Sequence, residues 1–196
     1  MQHPWHDITA GSEPPERINA FIEVTQFDQL KYEIDKSTGY LTVNRQHRWG
    51  VASPFAYGFI PRTLCGQRVA ELSIVDTSDG DALDVFVFSS LPIRHANVVV
   101  PGRIIGGIPV TDDNRADDKV FAVLEDDEMF GSVNALDDLA PSVLERIEHH
   151  LRTYKANSNI WVGEPYGRLL AEQVVAASMH DYAEAFATRH QETRGY

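Results

Sequence analysis

The sequence predicts an α+β fold, with a closed or strongly curved β-sheet and helices packed on one side of it. Segments with strand patterns come first along the chain, and two segments with helical periodicity follow them. Neither an internal repeat nor a linker interrupts this order. A chain of 196 residues suits one domain and buries about 70% of its unfolded surface on folding. We therefore expect a single domain over residues 1–196.

The N-terminal part of the chain predicts an arm, a strand and a hairpin. Residues 1–19 are polar and contain a proline pair, which favours an extended arm leading into a strand at 21–24. Residues 31–35 alternate with period two, Ser37-Thr38-Gly39 supplies turn residues, and 41–45 alternate again. This pattern is typical of a β-hairpin.

Further strands and two helices complete the predicted elements. β-branched and aromatic residues predict strands at 84–88, 97–100, 103–105 and 119–124, the middle two joined at Pro101-Gly102. The first helix begins at Pro141, and its apolar face comprises Val143, Leu144, Ile147, Leu151 and Tyr154. The second helix covers about 168–188, with a face of Ala171, Val175, Met179, Tyr182 and Phe186. Residues 189–196 are expected to form a flexible tail.

Composition limits the classes of partner and compartment. The formal net charge of −12 argues against a general binder of nucleic acid or of anionic membranes. An anionic partner must therefore be held by a local basic cluster or through bound cations. The single cysteine, Cys65, cannot form an intrachain disulfide, which favours a reducing compartment. Because no segment has the pattern of a signal peptide or a membrane span, we expect a cytoplasmic protein.

Two acidic segments are the strongest candidates for a binding site. Residues 76–84 place four carboxylates within nine residues, contain Gly80, and run directly into an apolar strand. Carboxylates this close repel one another, and Mg²⁺ or Ca²⁺ relieves that repulsion. Residues 111–119 form a second acidic segment that also leads into a strand. Taken alone, the first segment is typical of a solvated acidic turn and the second of a polar hairpin loop. Taken together, the two segments could converge on one rim of the sheet and bind more than one metal ion.

Several familiar sites are excluded or disfavoured by spacing. An EF-hand beginning at Asp76 would need glutamate at its twelfth position, where Val87 stands. One cysteine and scattered histidines disfavour zinc, and neither a Walker A loop nor a GxSxG motif is present. His149 and His150 are adjacent on a predicted helix, which favours a solvated pair.

The predicted hairpin also carries cations. Lys31 and Glu33 lie on one face, and Arg45 lies on the returning strand. If this face looks into the sheet or barrel, Lys31 and Arg45 could hold an anion; otherwise they form a surface ion pair with Glu33. Lys155 ends the first helix, where its charge also suits the helix dipole.

Taken in order, these motifs resemble the soluble family I inorganic pyrophosphatases between residues 20 and 156. The segments that carry the resemblance are Lys31–Lys36, Tyr57–Pro61, Asp79–Asp84, Thr111–Lys119 and Tyr154-Lys155. It implies a five-stranded, OB-like β-barrel flanked by C-terminal helices, Mg²⁺-dependent hydrolysis of pyrophosphate, and in bacteria commonly a homohexamer.

The resemblance also implies a role for each site residue. Asp81 would hold and deprotonate the attacking water, and Glu23 and Glu33 would lie near the metals. The metal ligands would be Asp79, Asp84, Asp112 and Asp117. The phosphates would be contacted by Lys31, Arg45, Tyr57, Lys119, Tyr154 and Lys155.

Two other functions remain open at this point. Ser53 and Ala56 stand where the resembled family often has an aromatic residue and asparagine, which motivates a non-enzymatic cation-binding module that keeps the fold. A metal-dependent hydrolase of other phosphoanhydrides, such as nucleoside triphosphates, is disfavoured because no nucleotide-base pocket is evident in the sequence.

Overall fold

A computed structural model describes residues 3–47, 51–155 and 159–187. Its helices are α1 (Pro4–Asp7), α2 (Gln67–Leu72), α3 (Pro141–Thr153) and α4 (Arg168–Ala185). Its strands are β1 (Arg17–Val24), β2 (Leu30–Ile34), β3 (Leu41–Gln46), β4 (Ala56–Phe59), β5 (Asp84–Phe88), β6 (Val98–Ile108), β7 (Val110–Asp112), β8 (Arg115–Ala116), β9 (Lys119–Leu124), β10 (Ile160–Val162) and β11 (Tyr166–Gly167). None of the helices in these ranges is long and apolar enough to cross a membrane.

Five strands close into a barrel. They pair in the order β1-β4-β5-β9-β6, and β6 pairs back with β1. β5 and β9 are parallel, whereas the other pairs are antiparallel. Outside the barrel, β11 adds to the free edge of β6, β2 and β3 form a hairpin, and β10-β7-β8 form a small sheet. The predicted α+β class and the OB-like five-stranded barrel with C-terminal helices are confirmed.

The central strands are buried on both faces. Val85 and Val87 of β5 pack in a cluster with α4, whereas Phe86 and Phe88 pack in a second cluster with α3. This double burial explains why the strand is an unbroken apolar run. The predicted apolar face of α3 lies within the second cluster, as its periodicity indicated.

Strand β6 corrects the prediction of two strands joined at Pro101-Gly102. The strand continues through both residues because Pro101 stands opposite Asn19 of β1, whose amide donates instead to the Ala10 carbonyl (2.7 Å). The missing proline amide therefore costs no ladder hydrogen bond. The strand begins at Val98 because Asn97 has a left-handed backbone (φ 62°).

The N-terminal segment is not a simple extended arm. Residues 4–7 form a helical turn with proline in its first turn, and the His3 amide donates to the Asp7 carboxylate (2.6 Å). Trp5 is buried against Tyr182 and Phe186. Burial of a large aromatic side chain is favourable, and an extended, exposed arm would leave this side chain in water. The predicted tail, residues 189–196, lies outside the described residues.

Candidate active site

A cleft of about 410 Å³ lies at the end of the barrel where β5 and β9 begin. Asp84, the first residue of β5, stands in register with Lys119, the first residue of β9. Twelve predicted site residues line this cleft: Glu23, Lys31, Glu33, Arg45, Tyr57, Asp79, Asp81, Asp84, Asp112, Asp117, Lys119 and Tyr154. The remaining one, Lys155, forms an ion pair with Asp112 at its edge.

The two acidic segments are hydrogen-bonded to each other. Ala116 donates its amide to the Thr77 carbonyl (2.7 Å), and Asp79 donates its amide to the Ala116 carbonyl (3.3 Å). The second segment turns at Asp113 and Asn114, both with positive φ, as in the two-residue hairpins that asparagine and aspartate favour. It is therefore a hairpin loop, as its polarity suggested, and it also delivers Asp112 and Asp117 to the cleft.

The first acidic segment is a tight turn around Gly80, whose φ of 76° is in the left-handed region. The Asp81 amide donates to an Asp79 carboxylate oxygen (3.0 Å), which holds the two side chains in fixed relation. Asp84 follows at the start of β5 and accepts a hydrogen bond from the Tyr57 hydroxyl. Three carboxylates thus converge from one turn and one strand start.

Lys119 provides the positive charge at the base of the cleft. Its side chain is fully buried, and its ammonium group lies 2.5 Å from Asp84 Oδ2 and also pairs with Asp117. Burial alone would lower the pKa of Lys119, but the charges of Asp117 and Asp84 outweigh it and raise the pKa well above its usual value. Lys119 is therefore a permanent cation.

Three of the cleft carboxyls have raised pKa values. Burial, and then the charge of Asp117, raises the pKa of Asp79 to about 8. Burial also raises the pKa of Asp117, and that of Glu23 to about 8, although Glu23 accepts a hydrogen bond from the Ile34 amide (2.8 Å). Such groups favour a positive ion that lets them ionise together.

The donor set fits a hard divalent cation. Carboxylates outnumber cationic side chains eight to five around the cleft, and the Oδ1 atom of Asp112 is buried with no hydrogen-bond partner among the described residues. Oxygen-only ligands of this kind suit Mg²⁺. Within the described ranges no three ligand side chains already surround one point. The Lys119 ammonium group lies between Asp84 and Asp117, and that of Lys155 pairs with Asp112, so these lysines neutralise three of the carboxylates.

The β2–β3 hairpin forms the cationic wall. Lys31 pairs with Glu33, and the other oxygen of Glu33 accepts from the Asn44 amide group (2.5 Å). The Arg45 guanidinium lies over the Tyr154 ring, 5.5 Å from its centroid. Burial lowers the pKa of Lys31, but the charge of Glu33 and then that of Asp84 raise it overall. The hairpin face that carries Lys31 and Arg45 therefore lines the cleft. This is the arrangement in which the two cations could hold an anion.

Next to the hairpin, His47 and His150 form a buried cluster that the sequence did not predict. His150 is buried rather than solvated, because it shares a helix face with Ile147 and Tyr154, three and four residues away. Its ring stacks on Tyr154 (5.2 Å between centroids), and His47 lies 6.0 Å from it. A small cavity beside Ser53 is lined by both histidines.

We expect His150 to oppose folding in acid. Burial lowers the pKa of His150 to about 4, whereas the unfolded chain protonates it near the usual value of about 6.5. Because the unfolded state then binds more protons at this group, His150 alone lowers stability as pH drops from 6.5 towards 4, by about 2 kcal/mol at pH 5. The raised pKa values of Asp79 and Glu23 act in the opposite direction over this range, so the contribution of His150 is measured by comparing the parent with His150→Phe in urea at pH 7 and pH 5.

His150→Phe should reduce that loss, because it removes the titrating group and keeps an aromatic ring. The His150 Nδ1 atom has no hydrogen-bond partner among the described residues, so the exchange sacrifices no bond at that atom. Equal changes of stability between pH 7 and pH 5 in the parent and the variant would show that His150 makes no such contribution.

Four cleft residues with polar side-chain groups were not among the predicted site residues. Lys36 pairs with Asp81, and Asp113, Arg115 and Trp5 also line the cleft. Lys36, Asp113 and Arg115 lie within the hairpin and acidic motifs, so their places in those motifs could have indicated them. Trp5 gave no signal, because its place depends on packing against α4.

A barrel with one end lined by paired carboxylates and buried cations defines a metal-dependent enzyme of phosphoryl transfer, because dense anions need this combination of charges. The inorganic pyrophosphatase family matches residues 20–183 of the chain. An inorganic pyrophosphatase of Chlamydia muridarum is 35% identical over 94% of this chain and 95% of its own length. A soluble inorganic pyrophosphatase of Zea mays is 35% identical over 93% of this chain and 80% of its own.

Solved structures agree with the sequence relatives. The crystal structure of an inorganic pyrophosphatase from Thermus thermophilus superposes with a TM-score of 0.80 at 28% identity, covering 92% of this chain and 99% of that one. The chain belongs to the inorganic pyrophosphatase family. The resemblance seen in the sequence is thereby confirmed, and the alternative of a non-enzymatic module is not favoured.

Proposed function

We propose that this chain hydrolyses inorganic pyrophosphate to two phosphates with Mg²⁺ held by the cleft carboxylates. The observation that supports this most is the meeting of both acidic segments around one cleft, opposite the cationic face of the hairpin. Pyrophosphate is small and densely charged, and its hydrolysis depends on charge neutralisation and positioning more than on covalent help. The activity is the one that names the family.

Asp79, Asp84, Asp112 and Asp117 would hold the metal ions, with Glu23 and Glu33 close by. When bound, Mg²⁺ supplies charge neutralisation and makes a water molecule more acidic. The carboxylates offer it oxygen ligands only, and because the pKa of Asp79 is raised to about 8, metal binding at neutral pH displaces a proton from it.

Asp81 would orient the attacking water and accept its proton. Its side chain is about half exposed and lies in the same turn as Asp79, so it can reach both solvent and the metal-binding carboxylates. It pairs with Lys36 across the cleft. A positioned general base of this kind contributes a factor of about 10²–10⁴ to the rate.

The remaining residues would bind the phosphate groups. Lys31 and Arg45 approach from the hairpin, Lys119 from the base of the cleft, and Lys155 from its edge. Tyr57 and Tyr154 add hydroxyl groups, the first already bonded to Asp84. Burial, followed by the charge of Asp84, raises the pKa of Tyr57 well above its usual value, so its hydroxyl stays protonated and can donate.

Phosphate release from pyrophosphate, measured with Mg²⁺ and again with excess EDTA, tests the proposal. We expect turnover with Mg²⁺ and its loss with EDTA, since the carboxylates outnumber the cations at the site. Turnover that ignores EDTA would contradict the metal mechanism. A parallel assay with nucleoside triphosphates separates pyrophosphatase activity from a broader phosphoanhydride hydrolase.

The proposal extends to assembly and location. By resemblance, the protein would be a single-domain cytoplasmic enzyme that forms a homo-oligomer, a hexamer in the bacterial pattern. Sedimentation velocity at micromolar concentration measures the number of subunits directly.

A further inference from the structure

Asp181 on α4 is a buried carboxylate far along the chain from the acidic segments. It is only 5% exposed and accepts hydrogen bonds from three residues of one short segment, residues 66–69. The donors are the amides of Gly66 (3.1 Å), Arg68 (3.1 Å) and Val69 (3.3 Å), together with the Arg68 guanidinium (2.9 Å). A carboxylate with several backbone donors is a strong, directional anchor.

The segment that Asp181 anchors is the one that shapes the first acidic turn. Cys65 donates its amide to the Asp81 carbonyl (2.7 Å), and its carbonyl accepts from the Gly80 amide (3.1 Å). The Ser78 hydroxyl donates to the carbonyls of Cys65 (2.5 Å) and Gly66 (3.0 Å). All of these hydrogen bonds join residues 65–66 to residues 78–81, the turn that carries Asp79 and Asp81.

The contact between Asp181 and the segment is also close in space. A Cβ atom on Gly66 would lie 2.8 Å from Asp181 Cγ, so the carboxylate sits directly against the backbone. Without it, three amides at the start of α2 lose their acceptor, and the Cys65 backbone loses the support beside it. Displacing a metal-binding group by even a fraction of an ångström weakens metal binding.

We propose that Asp181 is a positioning residue for the metal-binding turn 78–81, acting through the backbone of Cys65 and Gly66. The inference rests on the proposed function, because it takes Asp79 as a metal ligand. Asp181 touches neither metal nor substrate; it fixes the distance between the Asp79 side chain and the carboxylates of the second acidic segment.

The test is calorimetric titration of Mg²⁺ into the full chain without substrate, for the parent and for Asp181→Ala. We expect the alanine variant to bind Mg²⁺ about tenfold more weakly, the lower end of the range for outer partners of a metal site. Glu184→Ala is the matched control: Glu184 accepts from the same Arg68 guanidinium (2.7 Å), yet no described backbone amide donates to it. Its Mg²⁺ affinity should equal the parent's.

Urea denaturation of each variant separates positioning from a general loss of stability. A destabilised Asp181→Ala variant that binds Mg²⁺ as tightly as the parent overturns the inference and leaves the proposed function standing. A parent chain that binds no Mg²⁺ overturns both.

Asp181→Asn keeps one carbonyl acceptor, so its affinity should lie between those of the parent and the alanine variant. If the alanine variant does not fold, the asparagine variant decides: weaker binding than the parent supports the positioning role, and equal binding overturns it.

Discussion

Asp81→Asn should lower the rate of pyrophosphate hydrolysis by a factor of about 10²–10⁴, the contribution of a general base, while leaving the fold intact. Asparagine has the shape of aspartate but cannot accept the proton of the attacking water. The fold should tolerate the change because the lost ion pair with Lys36 joins two side chains that are 49% and 59% exposed. Exposed pairs of this kind contribute less than about 1 kcal/mol.

The measurement is steady-state phosphate release at saturating Mg²⁺, accompanied by urea denaturation. Asp76→Asn is the matched control, because Asp76 is exposed, lies in the same acidic segment and does not line the cleft. Its rate should match that of the parent chain. Equal rates for Asp81→Asn and the parent would remove Asp81 from the role of base.

The candidate site was largely predictable because its residues occur in short runs with fixed local geometry. Gly80 marks a turn, the apolar residues after Asp84 mark a strand start, and together they place carboxylates at a barrel end. The alternation of the hairpin likewise predicted that Lys31 and Arg45 share a face. No local pattern shows that both acidic segments lie at the same end of the barrel, because that depends on the parallel pairing of β5 with β9.

The parts that the sequence did not predict depend on contacts between distant residues. Pro101 looked like a strand boundary, and only the partner residue Asn19 shows that its missing amide is harmless. His150 was expected to be solvated, but the ring of the distant His47 packs against it, 6.0 Å away between centroids. The helix α2 was not among the predicted elements, and amides at its start donate to Asp181, more than a hundred residues later.

Lys119→Met should destabilise the fold by about 3–5 kcal/mol in the absence of divalent cations, the usual cost of leaving buried charges unpaired. Methionine preserves the length of the side chain and removes the ammonium group that lies between Asp84 and Asp117. Urea denaturation in EDTA measures this loss. Lys36→Met is the control, because Lys36 also pairs with a cleft carboxylate but is 59% exposed; its cost should stay below about 1 kcal/mol.

The response of the Lys119→Met variant to Mg²⁺ and to pH distinguishes lost charge from lost packing. Burial already raises the pKa of Asp79 to about 8, and removal of the ammonium group, whose charge lowers the pKa values of Asp79 and Asp117, raises these two values further. The folded variant then binds more protons than the unfolded chain up to a higher pH, so its stability should fall more steeply than the parent's as pH rises from 6 to 9. Mg²⁺ binds the folded state and replaces the missing charge, so it should stabilise the variant more than the parent. A loss of stability unaffected by Mg²⁺ and by pH would mean that Lys119 acts only by filling space, and that the carboxylates around it do not form a cation site.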